Sequence, residues 1–280
     1  MTSYLRPDNL EDALAALAGG PLTVLAGGTD IYPARVGRAF NEDVLDISRL
    51  AALRGIAERG DHWSIGALAT WTDILRADLP PLFDGLKRAA REVGGVQIQN
   101  VGTVAGNLCN ASPAADGVPA LLSLDARIVL HGRDGERVLA LPDFILGNRL
   151  TARRGDQLMT EIRVPKPRAA QARGHFVKLG VRRYLVISIV MAAAVIEIED
   201  DLVAAARVAV GACSEVATRL GALEQAMIGR HVDGDLGLVA TEDHLAGLKP
   251  IDDVRAPAGY RRGAALVQVR RLLNEIGAGQ

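Results

Sequence analysis

"NVGTVAGNLCNASPAAD" (Asn100–Asp116) decides how this chain is read. Glycine stands at 102 and 106 and asparagine at 100, 107 and 110, with no lysine or arginine, just ahead of the apolar run "VPALLSL" (Val118–Leu124). Small residues let a backbone come close to a ligand. "LAGGTDI" (Leu25–Ile31) has the same character and ends a predicted strand, "LTVLA". In each loop successive backbone N–H groups can form a concave nest for an anion. A helix starting near Ile31 would add its positive end. Thr29 and Asp30 can add side-chain hydrogen bonds in the first loop. Gly102, Thr103, Gly106 and Asn107 form the second nest, and Asp116 is an acceptor of the kind that holds ribose hydroxyls. Two facing nests suit a pyrophosphate. Neither loop is GxGxxG or GxxxxGK[ST], so neither a Rossmann site nor a P-loop is supported.

Composition narrows the remaining classes. The chain has 280 residues, 49 % of them hydrophobic, enough for about two domains and a sizeable core. A net charge of −1 gives no reason to expect nucleic acid or an anionic membrane as partner. Cys109 and Cys213 are too few for an iron–sulfur cluster or a disulfide framework, which points to a reducing compartment. His62, His131, His175, His231 and His244 lack metal-site spacing, so no metal is expected. The longest apolar run, "LVISIVMAAAVIEI" (Leu185–Ile198), is too short to span a bilayer and reads as a buried strand. With no signal-peptide pattern at the N-terminus, a cytoplasmic protein without a membrane span is expected.

The pattern divides into an N-terminal α/β subdomain (1–54), a second subdomain (55–170) and a C-terminal α+β domain (171–280). In the first, Asp8 caps a helix reaching Ala18, with Glu11 at its third position, and "DVLDI" (Asp43–Ile47) is a strand. In the second, "HWSIGA" is a strand, Thr70 caps a helix with Asp73, and "PLFDGLKRAAREVGG" is a helix. "ARIVLHGRDGERVLAL" is a hairpin turning at Asp134-Gly135, and "DQLMTEIRVP" is a strand ended by Pro165. "KPRAAQARG" (Lys166–Gly174) is a linker. Beyond it come three strands, the last two joined at Asp200-Asp201, and helices in "ATRLGALEQAMIG" and "AGYRRGAALVQVRRLLNEIG". Overall the fold class is α+β, with α/β elements in the first part and a C-terminal antiparallel sheet backed by helices.

"LAGGTDI" (Leu25–Ile31), "IGALATWTDI" (Ile65–Ile74) and the opening stretch, in this order, resemble the FAD-binding medium subunit of molybdenum hydroxylases, the xanthine dehydrogenase and carbon monoxide dehydrogenase family. That family carries A-G-G-T/H near the N-terminus and T-I-G-G-N followed by S-P-x-x-D in mid-chain. The likeness covers the whole chain and implies a two-subdomain, PCMH-type FAD-binding part. By resemblance the FAD pyrophosphate lies between Ala26, Gly27, Gly28, Thr29, Asp30 and Ile31 on one side and Gly102, Thr103, Val104, Ala105, Gly106 and Asn107 on the other. Asp116 matches the family's acidic FAD ligand, and Ala67 and Thr70 match the motif lining the cofactor. Leu158 matches a residue packed near the isoalloxazine, and Lys178 one near the flavin's polar edge. Ala105 replaces a glycine and requires a negative φ there, and Gln99 stands where an arginine is often found.

The resemblance implies no catalytic nucleophile or base, because flavin carries its own chemistry. It implies electrons arriving from the [2Fe–2S] clusters of a small partner subunit, reduced by a large molybdenum-cofactor subunit. They leave to NAD+, O2 or another acceptor, and the usual assembly is a dimer of heterotrimers. No cysteine-rich insertion is present, so the branch with an extra cluster is rejected. Two other readings stay open: a self-contained FAD oxidoreductase of the vanillyl-alcohol-oxidase fold, and a nucleotide-binding regulatory module.

Overall fold

The computed structural model describes residues 2–37 and 41–279. The first unit holds β1 (Tyr4–Leu5), α1 (Leu10–Ala18), β2 (Thr23–Leu25) and β3 (Val44–Asp46). They form a parallel sheet in the order β1-β3-β2, with α1 packed over the central strand and burying Ala13 and Leu17. The N-cap of α1 is Asn9, not Asp8; its side chain accepts the Asp12 N–H at 2.9 Å and donates to Asp12 Oδ2 at 2.7 Å. An amide can do both at once, which a carboxylate cannot.

The second unit is built on β4 (Ile56–Glu58), β5 (His62–Gly66), β6 (Arg127–Gly132), β7 (Gly135–Ala140) and β10 (Leu158–Pro165). These make an antiparallel sheet in the order β4-β5-β10-β6-β7. Between its strands run α2 (Trp71–Arg76), α3 (Asp84–Glu92), α4 (Val96–Val101), α5 (Val104–Asn110), α6 (Gly117–Ser123) and the short α7 (Leu141–Phe144). The small ribbon β8 (Ile145–Gly147) and β9 (Leu150–Thr151) leads into β10. Thr70 and Asp73 form the expected capping box on α2: Thr70 Oγ1 accepts the Asp73 N–H at 3.1 Å, and Asp73 Oδ2 accepts the Thr70 N–H at 2.8 Å. The β6–β7 turn is Arg133-Asp134, one residue earlier than expected, because Gly132 pairs with Gly135.

The third unit holds β11 (Gln171–Leu179), β12 (Val190–Glu199), β13 (Leu202–Gly211), β14 (Thr218–Arg219), α8 (Gly221–Met227) and α9 (Ala258–Gly277). The strands pair antiparallel in chain order, and Asp200 and Asp201 turn the β12–β13 hairpin with φ of 50° and 60°. Three sequence expectations shift here. β12 begins at Val190 rather than Leu185, since Leu185 takes a φ of 52° that no strand accommodates. The linker shortens to residues 166–170, because Gln171–Gly174 already pair with β12. The helix expected over residues 217–229 starts at Gly221, after Thr218–Arg219 has joined the sheet.

β12 explains its own composition. Met191, Ala193 and Val195 point into the core shared with the second unit, while Val190, Ala192, Ala194, Ile196 and Ile198 point into the core under α8 and α9. A strand covered on both faces must be apolar throughout, so its alternation disappears. Glu197 is the exception on this strand: it is buried and accepts the N–H groups of Arg168 (2.9 Å) and Ala169 (3.1 Å) and pairs with Arg207 at 2.7 Å. Its carboxyl is held below its ordinary pKa by those donors, although burial opposes them. Among the described residues no helix is long and apolar enough to cross a membrane.

Arg261 ties α9 to this sheet. It is 1 % exposed, pairs with Asp253 at 2.6 Å, and donates to the carbonyls of Ile189 (2.7 Å) and Ala212 (3.0 Å). Removing it leaves the carbonyls of Ile189 and Ala212 without this donor and opens a cavity, while Asp253 keeps Arg255 at 2.5 Å. Arg261→Ala is expected to lower unfolding free energy by about 2–3 kcal/mol, seen as a reduced urea midpoint with an unchanged slope.

Candidate functional site

Loop 25–31 and the α4–α5 turn are in backbone contact. A Cβ on Gly27 would lie 2.0 Å from the Val101 carbonyl oxygen, so only glycine lets the loop sit this close. Gly28 has a φ of 70°, and its carbonyl accepts the Tyr32 N–H at 3.1 Å. The helix expected near Ile31 is only a 3-10 turn, Pro33–Arg35, ahead of Gly37 at a φ of 75°. The first loop therefore offers turn amides rather than a helix end.

The Asn100–Asp116 stretch is not one loop. It takes in the last two residues of α4, a hinge at Gly102-Thr103, the whole of α5 and the turns after it. The hinge is pinned against the segment before α2: Trp71 N–H donates to Gly102 O at 3.2 Å and Val104 N–H to Ala69 O at 3.0 Å. Thr103 caps α5, its Oγ1 accepting the Gly106 N–H at 3.0 Å. Asparagine, glycine and serine composition masked a capped helix seven residues long. Ala105 is helical, which meets the negative-φ condition. At the second helical position its N–H has no intrahelical carbonyl to bond. Gln99 is buried and donates to Arg91 O at 3.1 Å.

The two segments wall a cavity of about 570 Å³. Its lining includes Ala26, Gly27, Gly28, Thr29, Asp30, Ile31, Ala67, Gly102, Thr103, Ala105, Gly106, Asn107 and Leu158. Four expected residues do not line it. Thr70 is occupied by its capping box, and Val104 is buried in the core. Asp116 and Lys178 pair with each other at 2.7 Å, and Asp116 also accepts from Ser188 Oγ at 2.7 Å. Burial raises the Asp116 pKa, against the opposing pull of the Lys178 ammonium.

Sequence reasoning missed Arg149 and Arg153, which also line the cavity. Arg149 pairs with Asp30 at 2.7 Å and reaches Asn110 Oδ1, bridging the first loop to the end of α5. Asp30 is thus engaged within the chain. The basic cluster "RLTARRGD" (Arg149–Asp156) was the available signal. Trp71 and Cys109 line the cavity too; burial pushes the Cys109 thiol up to about 11, which makes it a poor nucleophile.

A diphosphate-bearing group fits this lining. Glycines bring backbone N–H groups to the wall, Arg153 supplies a cation, and the buried Asn107 Oδ1 makes no hydrogen bond. An orphaned buried acceptor of this kind costs stability until a donor reaches it. The wall is therefore shaped for a ligand with hydrogen-bond donors as well as negative charge.

The buried pair behind the cavity is separately testable. Lys178→Met leaves Asp116 unpaired and is expected to cost about 3–5 kcal/mol. Adding Asp116→Asn should recover most of that loss in a urea-denaturation double-mutant cycle.

Comparison with known proteins gives a consistent result over the whole chain. The family model for the FAD-binding domain in molybdopterin dehydrogenase matches residues 1–167, and that for the CO dehydrogenase flavoprotein C-terminal domain matches residues 175–276. The glyceraldehyde dehydrogenase medium chain of Sulfolobus acidocaldarius is 30 % identical over 98 % of both chains. The nicotinate dehydrogenase FAD-subunit of Eubacterium barkeri is 35 % identical over 70 % of this chain and 69 % of its own. The solved carbon monoxide dehydrogenase of Hydrogenophaga pseudoflava, in a form lacking the Mo-pyranopterin moiety, superimposes with a TM-score of 0.88 at 29 % identity, covering 98 % of this chain and 96 % of that one.

Proposed function

This chain belongs to the FAD-binding subunits of molybdenum-hydroxylase-type dehydrogenases, and from that premise we propose that the cavity between loop 25–31 and α5 holds the FAD pyrophosphate. The observation that carries this is the direct backbone contact of Gly27 with Val101, which makes one cradle of two segments distant in sequence.

In this reading Ala26 to Ile31 and Gly102 to Asn107 surround the diphosphate, with Ala67 beside them. The Asn107 carboxamide oxygen accepts from the cofactor, and Arg153 offsets negative charge. Leu158, buried at the start of β10, packs against the flavin end and keeps water from it. Thr70 and Val104 act from behind, fixing the turn before α2 and the first turn of α5. By the family likeness Lys178 would serve the flavin's polar edge and Asp116 its hydroxyls; in this structure the two hold each other at 2.7 Å outside the cavity, so this role requires their pair to part. Bound FAD supplies the redox chemistry itself, so the chain's tasks are binding, orientation and exclusion of water.

The subunit then receives electrons from a small [2Fe–2S] partner served by a large molybdenum-cofactor partner, and passes them to NAD+, O2 or another acceptor. The organic substrate is chosen by the large partner. This accords with relatives whose names carry substrates as unlike as glyceraldehyde and nicotinate. The same reading divides the chain at residues 54 and 170, supported by the three larger sheets, β1-β3-β2, β4-β5-β10-β6-β7 and β11-β12-β13-β14, each lying within one part.

Two outcomes test the proposal. Affinity purification from the native host should recover a small iron–sulfur protein and a large molybdoprotein; a chain that purifies alone with no flavin absorbance refutes it. Gly27→Ala forces the loop off Val101 at a strain of about 1–3 kcal/mol, a roughly tenfold or greater loss in FAD affinity. The readout is the FAD-to-protein ratio, with circular dichroism unchanged.

A further inference from the structure

A second cleft, of about 520 Å³, lies along the open edge of β11 and shares no lining residue with the first. β11 pairs only with β12, so its other edge faces this cleft. One wall is α3, with Arg88 and Arg91; another is the segment after β11, with Arg182 and Arg183; α9 adds Arg271 and Glu275. His175 also lines it.

Charge in this cleft is poorly balanced. Arg271 pairs with Glu275 at 2.6 Å, and Lys178 is neutralised by Asp116. The other four arginines have no carboxylate partner among the described residues: Arg182 donates to the Leu185 carbonyl, Arg183 lies over the Tyr184 ring, and the guanidinium groups of Arg88 and Arg91 make no hydrogen bond or ion pair there. Glu92 is the remaining acid on the wall. Two arginines in the last turns of α3 suit the helix dipole, but that does not account for two more facing them from another segment.

The floor gives an independent signal. His175 is 1 % exposed, yet neither ring nitrogen makes a hydrogen bond; Nε2 stands 3.1 Å from Glu275 Oε2 without bonding geometry. Burial, with Arg88 and Arg271 nearby, pulls its pKa down to about 4, so at neutral pH the ring is uncharged and has one donor and one acceptor free. A buried ring whose nitrogens make no hydrogen bond, lining a cleft edged by guanidinium groups, is the arrangement a bound anion would complete.

We propose that this cleft binds a phosphate-bearing small molecule of nucleotide size, with Arg88 and Arg91 on one wall and Arg182 and Arg183 on the other taking its phosphates and His175 hydrogen-bonding it at the floor. Guanidinium forks match phosphate oxygens in pairs, and the cleft volume falls in the range of small-ligand sites.

The test is calorimetric titration of the full chain, as purified with its FAD, in phosphate- and sulfate-free buffer. Inorganic pyrophosphate is the first probe and ADP the second. Saturable binding of both, with ADP the tighter, is expected. Arg88→Ala/Arg91→Ala should weaken both at least tenfold, and Arg182→Ala/Arg183→Ala should do so independently. All four arginines are exposed, so melting temperature should hold in both variants. Flavin absorbance, read in the same samples, separates this result from the fate of the FAD assignment. Equal binding by wild type and both variants overturns the proposal. So does displacement of FAD by pyrophosphate, or competition by polyglutamate stronger than by ADP, which would make the cleft a docking groove for an acidic protein segment.

Discussion

The whole arrangement depends on one place where two main chains touch. Gly27 lies against the Val101 carbonyl with no room for a methyl group, and this contact joins the parallel sheet of the first unit to the helical layer of the second. Hydrogen bonds from Trp71 and Val104 hold the α4–α5 hinge from the other side. The hinge is thereby gripped on two sides, and α5 points into the cavity from a fixed position. A site held by backbone contacts tolerates side-chain variation well, which fits a chain that shares about 30 % identity with its relatives yet keeps their fold.

The parts that read well from sequence are those set by local chemistry. The Thr70–Asp73 box needs four adjacent residues and nothing else. The two-aspartate hairpin at 200–201, the twenty-residue α9 and the largely apolar β12 each carry their signal within themselves. The glycine segments told correctly which stretches approach each other, because close approach is what glycine permits.

The parts that did not read well are decided by distant partners. α5 is too short to show a periodic pattern; its helical state comes from a threonine cap and from carbonyls supplied by other segments. Thr218–Arg219 is a strand only because the β13 edge is beside it. Asp116 and Lys178 are 62 positions apart, and Arg149 and Asp30 are 119 apart, so neither pair leaves a trace in spacing. Both ion pairs decide which groups can reach a ligand, which is why the list of lining residues was less legible than the fold.

The double-faced strand β12 has one more consequence. Its odd and even side chains are rooted in different interiors, so neither interior can melt while the other stays dry. Hydrogen exchange should find the central amides of this strand opening only with the whole molecule. A protein cut after Pro165 would uncover the oily flank of α3 and α6 that β11 to β13 now shield, and such a fragment would clump rather than survive as an autonomous flavin carrier.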